Sequence, residues 1–83
     1  MSVLEQFVTP QYPDEIRQLA NNLENIVSMY QLGQLSQIEY DELIGDMCDA
    51  EKVLEHVHDV ELKKAMFEML KDVISIVKNV VPL

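Results

Sequence analysis

The chain has 83 residues, 48% of them apolar and 25% charged, and fifteen acids against six bases leave a formal charge of −9. That apolar fraction excludes a disordered chain, and the length leaves room for one domain. A pI near 4.4 argues against direct nucleic-acid binding, which needs a basic footprint for the phosphates.

No stretch reaches the roughly 18 apolar residues of a membrane span, and Met1–Thr9 lacks the basic start of a signal peptide. One cysteine, Cys48, cannot form an internal disulfide, so a reducing, cytoplasmic compartment is expected.

Glycine and proline divide the chain. Pro10 and Pro13 close an N-terminal arm, Gly33 separates two periodic stretches, and Pro82 follows the last one. No strict apolar–polar alternation bounded by turn signals occurs, and no solenoid-type repeat. The expected fold is therefore all-α: a three-helix bundle over about 14–32, 37–57 and 60–79. It forms one domain, 1–83, in which an arm of residues 1–12 docks on a bundle of residues 13–81.

In the arm, Val3, Leu4, Phe7 and Val8 share one face, and Ser2 with Glu5 fits a capping box. So short a helix cannot persist in water alone, so the arm must dock on its own bundle or on a partner.

The first helix opens on Pro13, Asp14 and Glu15, which suit the positive end of the helix dipole. Its stripe is Ile16, Leu19, Ala20, Leu23, Ile26, Val27 and Tyr30, and Gly33 supplies a left-handed cap. Ser36 and Glu39 form a second capping box, with Leu35 placed to staple onto Tyr40. The second stripe continues through Leu43, Ile44, Met47, Ala50, Leu54 and Val57. Asp59 is the expected N-cap of the third helix. No Gly or Pro marks the break at His56–Asp59, so one long helix from Gln37 to Asn79 is the alternative.

Between Leu23 and Leu43 the pattern is apolar residues at threes, then Gly33, Leu35, Ser36, Glu39, Tyr40 and Leu43. This resembles the SHOCT-type helical hairpin of small bacterial and phage proteins, G-x-[I/L]-[S/T]-x-x-E-[Y/F]-x-x-L, over about a quarter of the chain. Those hairpins usually sit at a C-terminus with a Lys after the aromatic; here the hairpin is central and Ile44 stands near the place of that Lys. The resemblance implies an oligomerising or protein-binding module without catalytic residues.

No enzyme motif is present: no phosphate-cradling Gly-rich loop, GxSxG, HExxH or paired CxxC. No catalytic residue and no cofactor is expected. The one candidate metal flank is Cys48, Glu51, Glu55 and His58, spaced three, four and three on the second helix. Within it, Glu55-x-x-His58 has the spacing used in di-iron bundles. Such a site needs a second motif, so a solvated flank is expected rather than a metal site.

Charge is more informative. Glu39–Glu61 holds nine acids and one base. Glu39, Glu42, Asp46 and Asp49 form an acidic ridge whose like charges repel without an interleaved Lys.

The third helix carries thirteen apolar residues among the 22 from Val60 to Val81, more than one neighbouring stripe requires. Its seven-residue series Val60, Phe67, Ile74 and Val81, with Phe7 of the arm, is the expected interface. The function expected is a protein–protein interaction or assembly module that self-associates through the third helix. The alternative is an acidic, DNA-mimic-like inhibitor of phage or mobile-element type that meets a basic protein surface through the ridge. A metal-binding bundle comes third.

Overall fold

The computed structural model describes residues 3–82, and among them there are helices and turns but no strand. A 3-10 turn, Glu5–Val8, precedes α1 (Asp14–Gln31), α2 (Gln37–Met47), a single-turn α3 (Ala50–Val53) and α4 (Val60–Lys78). The fold is thus all-α: three main helices (α1, α2 and α4), the single turn α3 and an N-terminal 3-10 turn. It extends over 40 × 24 × 16 Å. The third helix expected from the sequence is α4, and the loop ahead of it rules out one helix from Gln37 to Asn79.

Local chemistry explains most boundaries. At the end of α1 the Gln34 amide donates to the Met29 carbonyl at 2.8 Å and the Gly33 amide to the Tyr30 carbonyl at 3.1 Å. This Schellman cap needs a residue at positive φ, and Gly33 sits at +78°. The Ser36–Glu39 capping box forms in both directions, at 3.1 and 3.0 Å. Asp59 caps α4 by accepting the Leu62 amide at 2.9 Å.

The arm forms a 3-10 turn where a short helix is expected. Ser2, the expected capping partner of Glu5, lies outside the described residues. The amide of Leu4 donates to Glu24 Oε1 on α1 at 3.1 Å. Leu4 and Phe7 are buried, and the Phe7 ring meets Tyr12 edge-on at 5.3 Å. The arm therefore docks on its own bundle. The expectation that Phe7 belongs to an interface is corrected: at 3% exposure it is a core residue.

The core runs between the helices. Ile16, Leu19, Leu23 and Val27 of α1 face Ile44 of α2 and Met66, Leu70, Val73 and Val77 of α4. One end is locked by aromatic and polar contacts together. Tyr30 and Tyr40 stack with centroids 4.0 Å apart and planes at 10°, and the Tyr40 hydroxyl donates to the Val77 carbonyl at 2.7 Å. The α1–α2 corner is thereby tied to the C-terminal end of α4.

The second expected helix, 37–57, is corrected: α2 ends at Met47, and Asp49 restarts the chain as the N-cap of α3. At about 100° per residue, Tyr40, Ile44 and Cys48 point about 110° away from Leu54 and Val57. A straight helix could not bury both sets. It would also carry Glu51, Glu55 and His58 down the stripe of Tyr40 and Ile44, where unpaired charge is costly. Asp49 provides the interruption, its carboxylate accepting the Glu51 amide at 3.0 Å, a local bond that competes with helix continuation.

Candidate interaction groove

The same break opens a groove. Once α3 has turned the chain, Ala50, Leu54 and Val57 lie beside the first turns of α4, where Val60 and Phe67 project. Between them is a groove of about 640 Å³. Its floor is apolar, and Leu54 and Val57 are themselves buried core residues. Its rim carries Lys63, Lys64, Glu51, His58 and Glu68.

Val60 is 67% exposed and Phe67 44%. Lys71 covers part of the Phe67 ring from 5.5 Å and lies 3.6 Å from Glu68. Among the described residues no carboxylate stands within ion-pair distance of Lys63 or Lys64; the pairs formed are Asp14–Arg17, Glu55–His56 and Glu68–Lys71.

The expected interface series is divided by the fold. Val60 and Phe67 belong to the groove. Ile74 is half-buried beside Tyr40, Ile44 and Cys48 in a second cleft of about 590 Å³ between α2 and α4. Val81 is exposed beyond the end of α4. The four do not share one helical face, because α4 ends at Lys78, ahead of Val81.

The acidic ridge is also divided. Glu39 is committed to the capping box, where hydrogen bonds from the Ser36 amide and hydroxyl hold its carboxyl below the usual range. Asp49 caps α3. Of the four ridge residues, Glu42 and Asp46 stand exposed on α2 without a local role.

The flank of Cys48, Glu51, Glu55 and His58 does not exist as one helical face. Cys48 ends α2, Glu51 lies in α3, Glu55 follows α3, and His58 precedes α4. Cys48 is buried while the other three are exposed. Among the described residues no three His, Cys, Asp or Glu side chains group so as to hold a metal ion. Burial pushes the Cys48 thiol up to about 11, with Lys78 pulling weakly the other way. A thiol in that state is a poor nucleophile and a poor ligand at neutral pH.

The groove is not visible as a motif. By spacing its floor residues Ala50, Leu54 and Val57 read as a core stripe, and the signal of the groove is the phase shift between Ile44 and Leu54. Leu32 and Ile38, at 65% and 73% exposure, stand out at the α1–α2 corner; single apolar residues beside a cap carry no pattern. Among the described residues no helix is long and apolar enough to cross a membrane. No family model matches the chain, and neither does any curated protein or solved structure.

Proposed function

We propose that this chain is a protein–protein association module, not an enzyme, and that it self-associates through the groove between α3 and α4. The observation that carries this is the exposure of Val60 and Phe67 above the apolar side chains of Ala50, Leu54 and Val57. A small domain buries a limited share of its surface, and a contiguous apolar patch on it marks an association site. The likeness of residues 23–43 to SHOCT-type hairpins supports the same role.

The second reading is an acidic face for a basic protein partner, and it rests on Glu42 and Asp46, both exposed and without a cation within 4 Å among the described residues.

Light scattering separates the two. Phe67→Glu places a charge in the groove and should weaken self-association by about tenfold or more, because a charge forced against an apolar floor must be desolvated. Glu42→Lys with Asp46→Lys should leave the apolar contact in place and weaken self-association less than Phe67→Glu does, through charge alone and in a salt-dependent way. A wild-type chain that scatters as a 9.6 kDa monomer at high concentration would refute the association reading.

A further inference from the structure

We propose that copies of this chain associate head to tail, the α1–α2 corner of one copy seated in the α3–α4 groove of the next. This rests on the groove being the association surface and adds what occupies it. Three observations point to the corner.

The first is position. The Tyr40–Val77 hydrogen bond fixes the corner beside the C-terminal end of α4, whereas Val60 and Phe67 lie toward its N-terminal end. Val60 is 17 residues from Val77, about 25 Å along a helix, in a molecule 40 Å long. A groove-to-groove dimer would cover one apolar end and leave Leu32, Ile38 and Val81 exposed at the other. A head-to-tail contact covers both.

The second is charge. From Met29 to Met47 the chain carries Glu39, Asp41, Glu42 and Asp46 and no base, while α4 carries four lysines against three acids. Lys63 and Lys64, at the groove, have no carboxylate within 4 Å among the described residues. Seating an acidic corner there pairs opposite signs. Glu51 and Glu68 line the groove too, Glu68 facing Lys71, so Lys63 and Lys64 are the unpaired cations there that an acidic corner would meet.

The third is shape. The Gly33 cap turns the chain within a few residues and leaves Leu32 and Ile38 exposed on either side of the turn, two apolar side chains that an apolar groove can receive. Such a contact is heterologous, so it builds rings or open chains, not a closed dimer.

The test is complementation. Phe67→Glu disables the groove and Ile38→Glu disables the corner. Both side chains are exposed, so the fold survives either change, as unchanged helical circular dichroism would verify. Each variant alone should sediment as a monomer. Mixed one to one they should form a heterodimer of twice the chain mass, because one copy still offers a corner and the other a groove. Growth should stop at two.

If the wild type associates, Phe67→Glu abolishes this and Ile38→Glu does not, the groove is the interface but the corner is not its occupant. If both variants are monomeric and their mixture stays monomeric, the head-to-tail arrangement is overturned. If the wild type itself is monomeric at high concentration, the association reading fails first and this inference with it.

Discussion

Tyr40 gathers more of the structure than any other side chain. Its ring stacks on Tyr30 of α1, and its hydroxyl donates to the Val77 carbonyl of α4. Burial pushes its ionisation up to about 12, with Tyr30, Asp41 and Cys48 adding smaller pushes. Cys48, one turn beyond Ile44, is raised to about 11 for the same leading reason. Both groups hold their protons more tightly folded than unfolded. Their stabilising contribution is therefore whole below the ordinary values of 9.0 for the thiol and 10.0 for the phenol. It is lost as pH climbs through about 11 and then about 12. Chemical denaturation between pH 8 and 12 (roughly the span of these titrations) should show stability falling with pH. Tyr40→Phe should flatten the upper part of that fall and cost about 1 kcal/mol at neutral pH through the lost hydrogen bond. Equal slopes for variant and wild type would mean that Tyr40 ionises as freely in the native state as in the unfolded one.

At the scale of elements, the helix termini follow side-chain chemistry that can be tested one cap at a time. Ser36→Ala removes the oxygen that accepts the Glu39 amide and should cost about 1 kcal/mol. Gly45 lies inside α2 with nothing within 4 Å of an added Cβ, so Gly45→Ala should gain about 0.5–1 kcal/mol. Thermal melts of the two variants should move in opposite directions; a loss at Gly45 would mean that α2 needs flexibility there. These caps were legible in the sequence, as were Gly33 and Asp59, because each is a local bond between residues a few positions apart. The stripe of α1 was legible for the same reason. The end of α2 was not. Met47, Ala50, Leu54 and Val57 recur at helical spacing and continue a stripe by count, yet the side chains that α2 buries are Tyr40, Ile44 and Cys48. Which of two overlapping stripes faces the core is decided by α1 and α4, so only packing places the break at Cys48–Asp49. The groove shares that fate, since it exists because the break exists. The metal flank spans the break and loses its common face with it, while Glu39, Glu42 and Asp46 of the ridge stay on α2 and only Asp49 leaves it.

At the scale of the whole molecule, the 3-10 turn and the helices close one core, while the N-terminal half of α4 leaves Val60, Leu62 and Phe67 in solvent. Glu39, Asp41, Glu42 and Asp46 of α2 stand without a base among them, while Asp49, Glu51, Glu55 and Asp59 lie around α3 and the start of α4, at the groove end. In the proposed assembly the apolar groove at one end of a copy receives the acidic corner from the other end of the next. The most direct measurement is an NMR dilution series from millimolar to micromolar chain, following every backbone amide. Resonances of Leu54, Val57, Val60 and Phe67 at the groove, and of Leu32 and Ile38 at the corner, should move together while α1 stays fixed. A spectrum unchanged across the series, with the tumbling of a single chain throughout, would contradict self-association. Shifts confined to Glu42 and Asp46 would place the contact on the acidic face of α2 instead.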